Sequence, residues 1–161
     1  MQASQLDSID IQILRLMQQH GKLANQELAQ LVGLSASPCS RRVKAMEEAG
    51  IIAGYCTLLN PQVFKLNLTA YVQVKLEKHG QAILEAFEKE MLSYDEVLEC
   101  CLLTGSDADY QLKVLVEDME AYKRFLLEKL TTNHDIAGVH SSFVLKQVKS
   151  HSAIPLPQTM R

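Results

Sequence analysis

The strongest chemical signal in this 161-residue chain is a short basic stretch that contains no acid. Between Ser35 and Met46 the sequence carries Arg41, Arg42 and Lys44, with neither aspartate nor glutamate among them. An arginine guanidinium can pair with a guanine edge or a phosphate, and a lysine ammonium supplies a point charge. Small serines between these cations let a backbone approach a polyanion closely. This chemistry favours contact with nucleic acid.

Three predicted helices place Arg41 and Lys44 on the outward side of the third helix, with Arg42 on its flank. Asp7 is a good N-cap for a first, amphipathic helix, which Gly21 ends. Asn25 is predicted to cap a short second helix, and Gly33 to supply the left-handed turn after it. A short helix, a tight turn with glycine and a longer helix form the helix-turn-helix plan, in which the last helix enters the major groove.

The third helix is predicted to separate a buried stripe from a polar face. Ser35 or Ser37 caps it, and Cys39, Val43 and Met46 recur at helical spacing. The candidate DNA-binding residues are Asn25, Ser35, Ser37, Ser40, Arg41, Arg42 and Lys44. A plain three-helix bundle with a solvated basic face is the alternative. The glycine turn, the short second helix and the acid-free outer face together disfavour it.

The second half of the chain alternates strand-like and helix-like patterns. Residues 68–77, 97–104, 110–116 and 140–148 are predicted strands, and residues 80–92 and 118–130 are predicted helices. The order βαββαβ is that of a ferredoxin-like unit, with both helices on one face of an antiparallel sheet. On the bare face Tyr71, Gln73 and Lys75 point outward, which predicts contact with a second copy of the chain. A homodimer is therefore expected.

The expected fold class is α+β, a winged helix-turn-helix domain followed by a ferredoxin-like βαββαβ domain. Residues 1–54 form the first domain, and strand-favouring residues after Gly50 predict its small wing. Residues 55–66 are predicted to be an extended linker, residues 67–150 the second domain and residues 151–161 a tail.

The charge distribution fits a protein that touches DNA with a small patch. The net charge is −3, which by itself argues against binding a polyanion. Residues 1–54 hold five basic and five acidic side chains, whereas residues 55–161 hold eleven basic and fourteen acidic ones. The excess acid therefore lies outside the helix-turn-helix.

Other function classes lack their signatures. The sequence has no H-E-x-x-H, no G-x-S-x-G and no P-loop, and its five histidines are scattered, so no catalytic residue is predicted. The four cysteines lack metal or disulfide spacing and are expected to be buried, with no metal site and no cofactor. Neither a signal peptide nor a bilayer-spanning run is present, so a cytoplasmic location and no membrane partner are expected.

Both halves of the chain contain segments that resemble the signatures of a known protein family. Residues 25–44, followed by Gly50-Ile51-Ile52, resemble the DNA-binding signature of the Lrp/AsnC family, the leucine-responsive or feast/famine regulators. The second half carries matching segments at 99–105, 109–110 and 141–146, so the likeness runs from Leu6 to about Pro157. Residues 150–157 resemble the branch that includes activators of branched-chain keto-acid catabolism.

This resemblance implies a sequence-specific DNA-binding regulator of amino-acid metabolism, acting as activator or repressor on double-stranded DNA. The family's second domain, called RAM (regulation of amino-acid metabolism), dimerises through its sheets, and dimers commonly gather into octamers. An amino acid binds between dimers, near the loop after the second RAM strand. Carried over to this chain, the implied effector-binding residues are Leu102, Thr104, Gly105, Ser106, Asp107, Asp109, Tyr110, Ser141, Ser142 and Phe143.

The chemistry of this loop suits a zwitterion. Asp109 could accept the ammonium, while a glycine-containing loop with serines can offer N–H groups to the carboxylate. The family usually has two residues between the glycine and the Asp-Tyr pair, whereas this chain has three, so either Asp107 or Asp109 could face the ligand. Apolar flanks at Leu102 and Phe143 favour leucine or methionine first. A solvated turn between two strands is the alternative.

Two rival functions follow from the same elements. A βαββαβ sheet also suits a ligand-sensing subunit that controls a metabolic enzyme allosterically and binds no DNA. Such a subunit has no need for the helix that carries Arg41, Arg42 and Lys44. A metal-responsive repressor would need clustered histidine and cysteine ligands, which the sequence lacks.

Overall fold

The computed structural model describes residues 6–150 and 153–156. These residues divide into a helical unit, formed by residues 6–59, 149–150 and 153–156, and a sheet unit, formed by residues 60–148. Each unit has its own hydrophobic core. The described helices are all too short and too polar to cross a bilayer.

Three helices form the helical unit: α1 (Ser8–Gln19), α2 (Asn25–Leu31) and α3 (Ala36–Glu48). Asp7 caps α1 as predicted, because its Oδ1 accepts the Asp10 N–H at 2.9 Å. In return Asp10 Oδ2 accepts the Asp7 N–H at 3.1 Å. This capping box satisfies two backbone donors that the helix itself leaves free, and such a cap contributes about 1 kcal/mol.

The turn between α2 and α3 depends on Gly33. Its φ of +71° lies in the left-handed region, which residues with a Cβ resist. The following Leu34 N–H donates to the Ala29 carbonyl at 2.9 Å, which closes the end of α2. The chain then enters α3 from an extended Ser35. The predicted glycine turn is therefore present.

The core of the helical unit is built from one face of each helix. On α3, Cys39 and Met46 are completely buried, and Val43 packs beside them as the predicted stripe requires. Burying an apolar side chain of this size stabilises a fold by about 1.5–3 kcal/mol. The other buried apolar residues of this core are Leu6, Ile11, Ile13, Leu14, Leu28, Ala29 and Val32.

The segment after α3 contains no strand. Ile51 and Ile52 pack against the helical core, and residues 53–60 are exposed and form neither helix nor strand. Strand-favouring residues need a partner strand, and the described part of the helical unit contains none. This segment therefore lacks the strands of the predicted wing. It ends at a short 3₁₀ turn, Pro61–Phe64, where Asn60 Oδ1 accepts the Gln62 N–H at 3.1 Å.

The sheet unit has the predicted βαββαβ order. Its elements are β1 (Leu68–Leu76), α4 (Gln81–Met91), β2 (Val97–Leu102), β3 (Tyr110–Val116), α5 (Met119–Arg124) and β4 (Ile136–Phe143). The strands lie in the order β2-β3-β1-β4, and each neighbouring pair is antiparallel. After α5 the chain continues through a π-helical turn, Phe125–Lys129.

The two central strands show the alternation that the sequence predicted. On β1, Ala70, Val72, Val74 and Leu76 are buried, and the residues between them are more exposed. On β3 the buried positions are Tyr110, Leu112, Val114 and Val116. Phe87 and Met91 of α4 and Tyr122 and Phe125 near α5 complete this core.

The predicted last strand, residues 140–148, is wrong by about four residues. The observed strand, Ile136–Phe143, pairs with β1 from Leu76↔Ile136 to Ala70↔Phe143. Its first half contains Ala137 and Gly138, which are poor strand formers. The sequence pattern therefore did not predict this half of the strand. Further along the chain Leu145 is fully exposed and Val148 is 86% exposed, so these apolar residues do not extend the buried part of the strand.

The cysteine prediction holds at only one position. Cys39 is buried in the helical core, but Cys56, Cys100 and Cys101 are exposed. Cys56 lies on the extended segment after α3, and the other two lie on β2, an edge strand of the sheet. Composition alone does not reveal which segment a small apolar residue occupies.

Candidate DNA interface and effector loop

The outward face of α3 carries the predicted polar set. Ser37, Ser40, Arg41 and Lys44 are all exposed, opposite the buried Cys39 and Met46 stripe. Ser35 is the N-cap of α3 and is also exposed, with no side-chain hydrogen bond to the helix. We call Ser35, Ser37, Ser40, Arg41 and Lys44 the α3 face. It offers hydroxyl and cationic groups along one side of a single helix.

Lys44 keeps its charge available at this face. Its Nζ lies 3.7 Å from Glu48 Oε1, and both side chains are about 70% exposed, at 74% and 69%. A solvent-exposed pair of this kind contributes only about 0–1 kcal/mol, so a phosphate can replace it.

Further along the chain, Tyr55 donates its hydroxyl hydrogen to Glu47 Oε1 at 2.6 Å, and this bond raises the pKa of Tyr55 to about 12.

Arg42 does not belong to this face. Its Nη1 donates to Asp7 Oδ2 and to Asp10 Oδ1, both at 2.8 Å. The Asp10 side chain is only 5% exposed, so the guanidinium compensates a nearly buried carboxylate. Hydrogen bonds to these two aspartates raise the pKa of Arg42. Arg42 thus forms an ion-pair network between α3 and the start of α1, and its predicted DNA contact stays a prediction.

The predicted capping role of Asn25 is wrong, whereas its predicted DNA contact stays a prediction. It is the first residue of α2, whose N-cap is Ala24, so it does not cap the helix. Its Nδ2 instead donates to the Ala36 carbonyl at 2.8 Å. This bond links the start of α2 to the start of α3. Asn25 thus holds the two helices of the motif together.

In the sheet unit, the loop between β2 and β3 is closed by its own hydrogen bonds. The Leu103 N–H donates to the Asp109 carbonyl at 2.7 Å, and Gly105 takes a left-handed φ of +83°. Ser106 Oγ donates to the Ala108 carbonyl at 2.7 Å and accepts the Ala108 N–H at 3.2 Å. The predicted ligand hydroxyl at Ser106 is therefore already used within the loop.

Asp109 is held inside the sheet unit rather than presented to solvent. Its Oδ2 accepts the Leu76 N–H at 2.7 Å, and its Oδ1 lies 2.9 Å from His79 Nε2. Its side chain is 19% exposed. Asp107, two residues earlier, is exposed. The geometry therefore favours Asp107 over Asp109 as the acidic group of a ligand site.

The segment 141–143 places its residues on alternate faces of the sheet. Ser141 pairs with Val72, which faces the helices, and its hydroxyl hydrogen-bonds to the Tyr122 hydroxyl. Phe143 lies on that same side, its ring 5.1 Å from the Tyr122 ring in an edge-on arrangement. Ser142 lies on the opposite, open face and is exposed. Only Ser142 of the three thus presents its side chain to a partner at that face.

Within one chain the two predicted parts of the effector site are not brought together. Tyr110, at the end of the loop, pairs with Val74 of β1, whereas Ser141 on the other side of β1 pairs with Val72. Tyr110 and Ser141 therefore lie two strand spacings apart across the sheet and two residues apart along it. This corresponds to a distance of more than about 10 Å. Tyr110 itself is buried, and its hydroxyl donates to Glu88 Oε1 at 2.8 Å.

Two cavities formed by the described residues lie away from the loop. One of about 280 Å³ lies at the other end of β3, where Glu96 and Lys129 form a 2.6 Å ion pair. Another of about 250 Å³ lies in the helical unit beside Tyr55. Neither is lined by residues 102–110 or 141–143.

His79 and Tyr122 were missing from the predicted site. Each contacts a predicted site residue, Asp109 and Ser141, across 30 and 19 positions of sequence. No local spacing pattern connects such distant residues. Knowing the strand order β2-β3-β1-β4 would have supplied the missing link for His79, since it places the end of β1 beside the start of β3.

Both halves of the chain match known families. Residues 6–53 match a model described as winged helix-turn-helix DNA-binding, and residues 69–154 match the Lrp/AsnC ligand binding domain. The Bkd operon transcriptional regulator of Pseudomonas aeruginosa is 41% identical, covering 95% of this chain and 99% of its own length. The leucine-responsive regulatory protein of Rhizobium meliloti is 38% identical, over 90% of this chain and 92% of its own length.

Solved structures agree with these relatives. A transcriptional regulator from Neisseria meningitidis, solved as a complex with L-methionine, superposes with a TM-score of 0.88 at 40% identity. It covers 93% of this chain and 96% of its own. AsnC of Escherichia coli superposes with a TM-score of 0.82 at 25% identity, over 93% and 99%. These matches support the regulator over an enzyme subunit. This chain belongs to the Lrp/AsnC family of DNA-binding transcriptional regulators.

Proposed function

We propose that this regulator binds duplex DNA through the α3 face and that an amino acid, bound between subunits, changes its hold on DNA. The α3 face is the observation that supports DNA binding. Arg41 and Lys44 point away from the core, and no acid lies on the helix from residue 36 to residue 46. Arginine can specify bases and lysine can bind phosphates, while the exposed hydroxyls of Ser35, Ser37 and Ser40 suit the DNA backbone.

The second part is supported by the incompleteness of the effector site in one chain. The loop at residues 104–109 and the segment 141–143 are more than about 10 Å apart across β1. A ligand that touches both must therefore lie between subunits. We propose that one subunit contributes Leu102, Thr104, Gly105 and Asp107, and that another contributes Ser142. Asp107 would accept the ammonium group, and the free N–H groups near Gly105 would bind the carboxylate.

The proposed effector is a small apolar amino acid, methionine or leucine first. Leu102 is 56% exposed and can hold an apolar side chain. The segments 102–110 and 141–143 contain no lysine or arginine to pair with a second carboxylate, and an unpaired buried charge is costly. The L-methionine complex of the Neisseria relative supports methionine as the first ligand to test.

A homo-oligomer follows from this site, as a dimer and in larger assemblies such as an octamer. The open sheet face carries Tyr71, Gln73 and Lys75, with Ser142 beside Tyr71. Light scattering of the full chain should give a dimer or larger at micromolar concentration. A monodisperse monomer, with or without amino acids, would overturn the intersubunit site.

The regulation is tested with a duplex selected by the wild-type protein from a random-sequence pool. Calorimetry should give a binding heat for methionine or leucine, and the ligand should change the duplex affinity by at least fivefold. Asp107→Asn should remove the heat while leaving ligand-free DNA binding unchanged. Ser106→Ala is the matched control, because its hydroxyl serves the loop alone. No heat with any of the twenty amino acids would contradict the proposed effector.

A further inference from the structure

We propose that residues 153–156 form a strap that docks on α1 and ties the DNA-binding unit to the rest of the chain a second time. The backbone of the strap both donates hydrogen bonds to α1 side chains and accepts them. It lies about 140 residues away from α1 in sequence, so the docking is a tertiary contact. Nothing in the periodic patterns of the sequence predicts it.

The docking uses both polar groups of one strap residue. The Ile154 N–H donates to Gln18 Oε1 at 2.7 Å, and Gln18 Nε2 donates to the Ile154 carbonyl at 3.4 Å. One side-chain amide thus pairs with the backbone donor and the backbone acceptor of the same residue. Arg15 Nη2 adds a third bond, to the Leu156 carbonyl at 3.2 Å. These contacts fix the path of the strap along α1.

An apolar anchor accompanies the hydrogen bonds. Leu156 is half-buried and packs against the core of the helical unit, which also includes Leu14 and Leu16 of α1. Ile154, in contrast, is 67% exposed, so its backbone rather than its side chain makes the contact. One anchored leucine and three partly exposed hydrogen bonds make a contact that can open without unfolding the helices.

The docked strap changes how the helical unit is connected. The chain leaves the helical unit after residue 59, forms the sheet unit through residue 148, and then returns to the helical unit. Two segments rather than one therefore link the DNA-binding helices to the sheet. A second tether lowers the number of orientations that a linked unit can sample. In an oligomer it restricts the spacing between the α3 faces of two subunits.

The docking of the strap can be measured without DNA. Its proposed effect on the spacing of the α3 faces rests on the proposed DNA-binding function. Hydrogen exchange of the full chain is the first measurement. Leu156→Asp should raise the exchange rate of α1 backbone amides at least fivefold while leaving β1 amides unchanged. Leu145→Asp is the matched control, because Leu145 is fully exposed. Equal α1 exchange in the two variants would overturn the docked strap.

A second pair of variants tests the hydrogen bonds. Gln18→Ala should also speed α1 exchange, whereas Gln19→Ala, at the exposed neighbouring position, should not. If Gln18→Ala and Gln19→Ala behave alike while Leu156→Asp is effective, the proposed amide pairing is wrong.

The tether is tested by the spacing of DNA half-sites. The probe is the duplex selected by the wild-type protein, with and without five base pairs inserted at its centre, which is about half a helical turn. The wild-type protein should discriminate between the two duplexes, and Leu156→Asp should reduce that discrimination at least threefold. If Leu156→Asp raises α1 exchange but discriminates between the two duplexes as well as the wild type does, the proposed tether is wrong. Failure of the wild-type protein to bind any selected duplex would instead contradict the proposed function, and the exchange result would still decide the docking.

Discussion

The α3 face and the effector loop differ in how much of a site one chain supplies. The α3 face is a single helix side whose polar groups point away from a buried stripe. The proposed effector site is divided between a loop and a strand segment on opposite sides of β1. In the proposed function, residues 25–44 therefore present an interface to DNA, whereas residues 102–110 need a second subunit.

In both regions, one of two charged residues close together in sequence is engaged inside its own unit. Arg42 follows Arg41 directly, yet it compensates Asp7 and Asp10 inside the helical unit. Asp109 lies two residues from Asp107, yet it accepts the Leu76 N–H and faces His79. In both cases the internal partner comes from a distant part of the sequence, while the neighbouring residue is exposed.

The largest effect is expected at Arg42. Arg42→Met should lower the free energy of unfolding by about 3 kcal/mol, because it leaves the nearly buried Asp10 carboxylate without its cation. Arg41→Met, at an exposed position, should change it by less than about 0.5 kcal/mol. Urea denaturation followed by circular dichroism measures both. Equal losses at the two positions would remove the distinction between the two arginines.

A smaller effect is expected in the loop. Asp109→Ala should cost about 1–2 kcal/mol of unfolding free energy, because the Leu76 N–H loses its charged acceptor. Asp107→Ala should stay within about 0.5 kcal/mol, since its side chain is exposed. The comparison uses the same denaturation assay. A larger loss for Asp107 than for Asp109 would reverse the assignment of the two aspartates.

The smallest effect is a pH dependence at Asp7. The hydrogen bond from the Asp10 N–H, together with Arg42, lowers the pKa of Asp7 below its ordinary value of 3.8. A lowered pKa in the folded state adds stability above the ordinary value, and this stability is lost as the pH falls through the folded pKa. Between pH 5 and pH 2 the unfolding temperature of Asp7→Asn should therefore fall less steeply than that of the wild type. Parallel curves would show that Asp7 contributes nothing to the acid response.

Elements with a local signature could be predicted from the sequence. The Asp7 cap, the Gly33 turn, the α3 stripe and the alternation on β1 and β3 each depend on residues close together in the chain. The misses depend on distant partners or on their absence. Within the described residues, the strand-favouring stretch after Gly50 has no partner strand, and β4 is placed by its pairing with β1 despite Ala137 and Gly138.

The central claim, that Arg41 contacts DNA while Arg42 stabilises the fold, is tested most directly by duplex affinity at fixed salt. The probe is the duplex selected by the wild-type protein, and the fold of each variant is checked by circular dichroism. Arg41→Gln should weaken binding by about 1–3 kcal/mol, or roughly tenfold or more, with its unfolding free energy unchanged. Wild-type affinity in a correctly folded Arg41→Gln protein would contradict the claim.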